Sequence, residues 1–251
     1  MFGQNPIRDV ENDPTSLAVQ EIFFTIQGEG PYAGTPAVFI RLAGCNLACT
    51  FCDTEFESGL NNRMTPEQIV AEVLRVAYKT NGRGKIGHQL VVLTGGEPLR
   101  QSCAPLIQSL LNAGTHVVQI ETAGTLWDEA LSGFYLRGEL DMVCSPKTPM
   151  INGEIARLCR HFKYIISAGE TSAQDGLPIK GTQTRNAHLY QTLYRPWSSL
   201  GWDEEGTNIW VGPCDLKDEV KNRANMAEAA RVAMEYGYRL TLQMHKVVGL
   251  P

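Results

Sequence analysis

The sequence lacks several features that would place it in other classes of protein. Only 8% of its 251 residues are aromatic, and its 22 Lys and Arg are outnumbered by 27 Asp and Glu, which gives a net charge of -5. Without a basic excess, nucleic acid is a disfavoured partner. No apolar run approaches the length of a membrane-spanning helix, and the first 15 residues lack the apolar core of a signal peptide. We therefore expect a cytoplasmic protein with no membrane partner.

A second CxxC pair is also missing, although the chain has seven cysteines. In a reducing compartment these are expected to be metal ligands or buried small side chains, not disulfides. Cys45, Cys49 and Cys52 form a CxxxCxxC pattern in GCNLACTFCDT. Three thiolates at this spacing can hold three irons of a 4Fe-4S cluster and leave the fourth iron open. A zinc site completed by a remote residue, or three unrelated loop thiols, are the alternatives.

Strand-like and helix-like segments alternate along the chain. Apolar runs predict strands at 21–26, 37–42, 89–93, 116–121, 140–144, 162–166, 208–211 and 239–243, and periodic patterns predict helices at 66–79, 102–113 and 216–236. Thr65, Pro66 and Gln68 form a capping pattern for the first helix. The alternation predicts an α/β fold, an incomplete TIM-like barrel of about six βα units. We expect one domain at 19–251, an N-terminal extension at 1–18, and an insertion or lid at 185–206.

Polar residues and glycines follow several of the predicted strands, at the edge where active sites of parallel barrels form. Gly95 and Gly96 in LVVLTGGEPL would let a ligand approach the backbone closely. Glu97 can accept hydrogen bonds from an ammonium group. Ser145 and Lys147 follow the strand LDMVC and suit a carboxylate or a ribose.

The cysteine pattern, with Phe51 just before its third cysteine, resembles the radical S-adenosylmethionine (SAM) superfamily. The resemblance implies a 4Fe-4S cluster whose unique iron is chelated by the amino and carboxylate groups of SAM. An electron from the cluster then cleaves the sulfonium and yields a 5'-deoxyadenosyl radical that abstracts hydrogen. The residues implied to bind SAM are Phe51, Asp53, Gly95, Gly96, Glu97, Ser145, Pro146 and Lys147.

A longer stretch, residues 21–54, closely resembles the 7-carboxy-7-deazaguanine synthase family, and the likeness continues through TGGEP, IETAGT, CSPK and LQMHK. This family belongs to queuosine and 7-deazapurine biosynthesis. The resemblance implies a radical SAM carbon-nitrogen lyase that converts 6-carboxy-5,6,7,8-tetrahydropterin to 7-carboxy-7-deazaguanine with loss of ammonia. It also implies a homodimer and a flavodoxin- or ferredoxin-type reductant.

The same resemblance implies roles for individual residues. Arg41 would fork onto the substrate carboxylate, and it stands alone among apolar residues in VFIRLAG. Thr54 would give a hydroxyl to Mg2+, an ion that accepts few protein ligands. The carboxylate of Pro251 would contact the guanidine-like edge of the pterin. The residues implied to bind substrate are Ile26, Gln27, Gly28, Glu29, Arg41, Thr94, His245 and Pro251.

Two other functions are compatible with the cysteine spacing. A glycyl-radical-enzyme activase acting on a protein partner uses the same spacing, but it gives no reason for QGEG followed by an arginine in the next strand. A non-catalytic iron-sulfur or zinc module is the second alternative. A fully ligated electron carrier needs four cysteines at its cluster, and only three are in register here.

Overall fold

A single curved sheet with helices on its outer face organises the chain in the computed structural model, which describes residues 7–81, 90–183, 192–196 and 206–251. The strands are β1 (Leu17–Ile26), β2 (Pro36–Leu42), β3 (Arg63–Met64), β4 (Leu90–Gly95), β5 (Val118–Thr122), β6 (Leu140–Cys144), β7 (His161–Ile166), β8 (Asn208–Pro213) and β9 (Arg239–Leu240). The helices are α1 (Pro66–Asn81), α2 (Ala104–Asn112), α3 (Ser132–Leu136), α4 (Gly153–Leu158), α5 (Glu219–Tyr236) and α6 (Met244–Val247). None of the described helices is long and apolar enough to cross a bilayer.

The order of the strands defines a partial barrel. β1 and β2 are antiparallel, and from β2 onward every neighbouring pair in the order β2-β4-β5-β6-β7-β8-β9 is parallel. Because this order follows the chain, the sheet winds in one direction, as in a barrel, and does not reverse as in a doubly wound fold. Within the described residues the edge strands are β3 and β9. The predicted incomplete barrel is therefore confirmed.

Local capping fixes where the two longest helices begin. The Gln68 N–H donates to Thr65 Oγ1 at 3.3 Å, and the Thr65 N–H donates to Gln68 Oε1 at 2.8 Å, which completes the predicted capping box of α1. Asp218 caps α5 through the N–H groups of Val220 and Lys221, at 3.0 and 3.1 Å. That cap places the start of α5 three residues later than the predicted helix at 216–236.

The hydrophobic core lies between the outer face of the sheet and the helices. Fully buried members from α1, α2 and the strands include Ile69, Val73, Leu106, Ile107, Leu110, Ile40, Val91, Leu93 and Ile120. Burial of each such side chain is worth about 1.5–3 kcal/mol. Since side chains alternate along a strand, the neighbours of these residues face the barrel interior. That inner face carries polar residues, among them Arg41, Thr94 and Glu121.

Most of the predicted strands differ from the structure at one or both ends. The strand predicted at 21–26 begins at Leu17, because Leu17 and Ala18 pair with the unpredicted β3, so β1 starts inside the predicted 1–18 extension. The strand predicted at 239–243 is wrong beyond Leu240. Pro213 lacks the N–H that would extend the ladder between β8 and β9. The strand predicted at 116–121 spans Val118–Thr122 instead.

Other differences concern short elements and the gaps between described segments. Sequence periodicity did not predict α3 or α4, because helices of five and six residues are too short to display a full apolar stripe. The strand predicted at 89–93 extends to Gly95, and residue 89 lies outside the described residues. Of the predicted insertion at 185–206, only 192–196 and 206 are described.

Candidate active site

A cavity of about 710 Å³ opens at the carboxyl ends of the parallel strands. Its lining includes all but four of the residues predicted for the site. The sixteen that line it are Gln27, Glu29, Arg41, Cys45, Cys49, Phe51, Cys52, Asp53, Thr54, Thr94, Gly95, Gly96, Ser145, Lys147, His245 and Pro251. The four outside the lining are Ile26, Gly28, Glu97 and Pro146. The strand-end position of the site is the one expected for a parallel barrel.

The cysteine loop that follows β2 forms one wall, which we call the thiol wall (residues 45–54). Cys45, Cys49 and Cys52 all line the cavity. Burial raises the pKa of Cys45 to about 12, so a positively charged group is required to hold its thiolate. No three His, Cys, Asp or Glu side chains of the described segments converge on a point that one ion could occupy. A cubane spreads its three thiolates over three irons, and this donor set fits that arrangement.

The glycine turn after β4 supports the thiol wall. A Cβ on Gly95, whose φ is +137°, would lie 2.1 Å from the Leu42 carbonyl oxygen, and one on Gly96 would lie 2.0 Å from the Gly44 oxygen. Both glycines thus make room for the backbone that leads into the cysteine loop. The sequence predicts that these glycines make room for a ligand, and in the structure their nearest neighbours are backbone atoms of Leu42 and Gly44.

Glu97 is buried and lies outside the cavity lining. Its carboxylate accepts hydrogen bonds from Thr122 Oγ1 at 2.8 Å, the Ala123 N–H at 2.8 Å and the Leu99 N–H at 3.1 Å. The residue is 1% exposed, and burial raises its pKa while these donors act against that effect. Glu97 therefore joins the ends of β4 and β5. The contact of Glu97 with an ammonium group of the cofactor stays a prediction.

Other predicted cofactor residues come together at the cavity wall after β6. Lys147 Nζ donates to the Ser145 carbonyl oxygen at 2.8 Å and to Ser145 Oγ, and it lies 5.9 Å from the centroid of the Phe51 ring. Burial lowers the pKa of Lys147. Asp53 is engaged elsewhere: Lys246 Nζ donates to it at 3.1 Å and to Asp215 at 3.0 Å. Lys246 therefore joins the terminal segment to the thiol wall.

The opposite side of the cavity, which we call the polar wall, is built from residues that are distant in sequence. Gln27 Nε2 donates to Gln119 Oε1 at 2.7 Å and to Glu121 Oε1 at 3.2 Å, and Thr94 Oγ1 donates to Glu121 Oε2 at 3.2 Å. Burial would raise the pKa of Glu121, but the charge of Lys163 and these hydrogen bonds lower it below its usual value. The wall therefore holds an ionised carboxylate inside the barrel.

Lys163 is the main functional candidate that the sequence reasoning missed. Its Nζ lies 3.0 Å from Glu29 Oε2, in a pair whose side chains are 9% and 13% exposed. Lys163 stands in the strand HFKYII, a cation among mostly apolar neighbours. The same pattern drew attention to Arg41 in VFIRLAG. Applied to β7, it would have found Lys163.

Arg41 lies at the edge between the two walls. Its Nε donates to Glu21 Oε1 at 2.7 Å, and its Nη1 donates to Thr54 Oγ1 at 3.3 Å. The guanidinium also stacks over Phe23, 5.6 Å from the ring centroid. These contacts use only part of the donor set of an arginine. The structure thus brings together the two residues predicted to bind the substrate carboxylate and Mg2+.

The terminal segment after β9 closes one side of the cavity. A Cβ on Gly28 would lie 2.5 Å from His245 Nδ1, so Gly28 makes room for the histidine. Burial lowers the pKa of His245, which favours its neutral form. Thr25 Oγ1 donates to the Pro251 carbonyl oxygen at 2.8 Å. His245 and Pro251 are thereby held at the polar wall.

A partial parallel barrel with a CxxxCxxC loop at the mouth of its cavity defines a radical SAM protein, and the model of the Radical SAM superfamily matches residues 39–141. The chain is 42% identical to 7-carboxy-7-deazaguanine synthase of Rhodospirillum rubrum, with 99% of each chain covered. It is 37% identical to the synthase of Rickettsia prowazekii, covering 100% of this chain and 96% of that one. The chain belongs to the 7-carboxy-7-deazaguanine synthase family.

A solved structure supports the fold. The crystal structure of QueE from Escherichia coli superposes with a TM-score of 0.62 and covers 90% of this chain and 93% of its own. Its sequence identity is 22%, so the comparison concerns the architecture alone. The incomplete barrel predicted from the alternation of strands and helices agrees with it.

Proposed function

We propose that this protein is a radical SAM carbon-nitrogen lyase that converts 6-carboxy-5,6,7,8-tetrahydropterin to 7-carboxy-7-deazaguanine and releases ammonia, in queuosine and 7-deazapurine biosynthesis. One observation carries the proposal: the same cavity is lined by the three thiols, by the carboxylates of the polar wall and, between them, by the Arg41 guanidinium. The substrate has a carboxylate at one end and a guanidine-like edge rich in N–H donors at the other. The family relationship favours this small substrate over the protein partner of an activase.

The thiol wall is the proposed cofactor side. Cys45, Cys49 and Cys52 would hold the 4Fe-4S cluster, and SAM would lie against Gly96 and Lys147. When bound, this pair supplies the one-electron chemistry that starts hydrogen abstraction from the substrate. Lys147 would offer a positive charge near the cofactor carboxylate or ribose, and its ammonium group lies over the ring of Phe51.

The polar wall is the proposed substrate side. Arg41 would bind the substrate carboxylate in a bidentate manner. Glu29 and Glu121 would accept N–H groups of the pterin. Lys163 pairs with Glu29, and its charge lowers the pKa of Glu121. His245 in its neutral form can donate or accept one further hydrogen bond. Gln27 fixes the position of Glu121 through its own amide.

Several partners belong to the same proposal. Mg2+ would bind near Thr54, completing its octahedron with water or substrate oxygens. The electron donor would be of the flavodoxin or ferredoxin type, and the chain would act as a homodimer. We place the protein in the cytoplasm, where reducing conditions keep cysteines available as metal ligands.

Anaerobic turnover tests the proposal directly. The protein is reconstituted with iron and sulfide, reduced with dithionite, and incubated with SAM with and without the pterin. We expect 7-carboxy-7-deazaguanine and ammonia only when the pterin is present. Formation of 5'-deoxyadenosine without this product would preserve the radical SAM assignment and contradict the substrate.

A further inference from the structure

Thr182 and Gln183 lie directly against the cysteine loop. Gln183 forms an antiparallel bridge with Cys49, and the Thr50 N–H donates to the Thr182 carbonyl oxygen at 2.8 Å. Gln183 and Cys49 are 134 residues apart in sequence. A segment from beyond β7 therefore pairs with the loop that carries the three thiols.

The orientation of the Gln183 carboxamide follows from its partners. Its Oε1 accepts the Ala48 N–H at 2.9 Å, and a backbone N–H can only donate, so the oxygen must occupy this position. Its Nε2 then faces Cys49 Sγ at 3.3 Å and Thr182 Oγ1 at 3.3 Å. Gln183 is 7% exposed, so water competes little for these donors. The geometry thus directs an N–H at a sulfur of the thiol wall.

We propose that Gln183 is a positioning residue that donates an N–H···S hydrogen bond to the cluster ligand Cys49 and raises the reduction potential of the cluster. The inference rests on the cluster assigned to these thiols in the proposed function. One-electron reduction adds negative charge, part of which resides on the sulfurs, so a donor at sulfur stabilises the reduced form more than the oxidised form. Burial strengthens this effect, because the local dielectric constant is low.

The side chain makes the proposal testable. Cys45 Sγ receives the backbone N–H of Leu47 at 3.4 Å, a donor that substitution does not remove, whereas the amide of Gln183 can be replaced. Gln183→Leu removes the donor, and Gln183→Glu keeps an acceptor for Ala48 while placing a negative oxygen at the sulfur. Gln119→Leu is the matched control, since Gln119 is 0% exposed and bonds to Gln27 on the polar wall.

The midpoint potential of the reconstituted cluster is measured by dithionite titration followed by electron paramagnetic resonance, without substrate. We expect a more negative potential in Gln183→Leu, a still more negative one in Gln183→Glu, and the parent value in Gln119→Leu. Equal potentials in the parent and Gln183→Leu would overturn the proposal. Loss of the cluster from both Gln183 variants would also overturn it, since the residue would then be a structural clamp. A parent chain that binds no iron would instead contradict the proposed function.

Discussion

The two walls of the cavity are built in different ways. The thiol wall comes from ten consecutive residues, 45–54, whose spacing alone brings three thiols to one strand end. The polar wall depends on pairs far apart in sequence: Gln27 and Glu121 are 94 residues apart, and Glu29 and Lys163 are 134 apart. The thiol wall therefore depends on the identity of three cysteines in one loop. The polar wall depends on the pairing of buried charges that come from distant parts of the chain.

Substitution of the three cysteines of the thiol wall should have the largest effect on activity. Cys45→Ala, Cys49→Ala and Cys52→Ala should each abolish activity and the visible charge-transfer absorption of the reconstituted protein, because in the proposed cluster each cysteine would be the protein ligand of one iron. Cys103→Ala is the control: Cys103 is fully buried at the start of α2 and outside the cavity lining. Unchanged absorption in any of the first three variants would contradict the cluster assignment.

Lys163→Met should destabilise the polar wall, because it removes the buried positive charge that faces Glu29 and Glu121. Removal of one partner of a buried pair costs about 3–5 kcal/mol of unfolding free energy. We expect a loss of this size in chemical denaturation, together with a marked fall in kcat/KM. Adding Glu29→Gln to Lys163→Met should recover part of the lost stability, because it removes one of the two uncompensated carboxylates.

Lys180→Met is the matched control for Lys163→Met. Lys180 pairs with Glu170 at 2.9 Å, but their side chains are 64% and 46% exposed. An exposed pair of this kind is worth about 0–1 kcal/mol. If the two lysine variants lose similar stability, the buried pair is not a structural requirement of the polar wall.

The contrast between the walls explains what the sequence could predict. The cysteine loop, the glycine turn and the capped helix α1 are local patterns, and each was located from its own residues. Lys163 could have been found as a cation among the apolar residues of β7, but its pairing with Glu29 depends on tertiary structure. Glu97 also depends on tertiary structure. Its sequence position predicts a cofactor contact, but the sequence does not predict the backbone and hydroxyl donors that its carboxylate has in the fold.

Arg41→Lys tests whether the arginine between the two walls binds the substrate carboxylate. An ammonium cannot reproduce two parallel hydrogen bonds to a carboxylate. Loss of one charge-assisted bond costs about 1.5–3 kcal/mol, which corresponds to a rise of roughly ten- to a hundred-fold in the Michaelis constant for the pterin. Iron content and uncoupled SAM cleavage should stay at parent values. A parent-like Michaelis constant would place Arg41 outside the substrate contacts.

The smallest expected effect concerns Asp215, which Lys246 joins to the thiol wall. The pKa of Asp215 is lowered from 3.8 to about 2, first by the Lys217 N–H and then by Lys246 and Asn222. A lowered pKa in the folded state stabilises the protein above the ordinary pKa, and this contribution is lost as the pH falls from about 4 through about 2.

Asp215→Asn removes that contribution. The variant should be less stable than the parent at pH 6, by about 1 kcal/mol or less for a partly exposed pair, and the difference should disappear near pH 2. Chemical denaturation across this pH range measures it. Lys246→Met removes one of the partners and leaves the Lys217 N–H and Asn222, so it should lower the pH dependence by less than Asp215→Asn does. The opposite result is a difference in free energy of unfolding between the two proteins that is the same from pH 6 to pH 2. That result would show that the ionisation of Asp215 does not stabilise the fold.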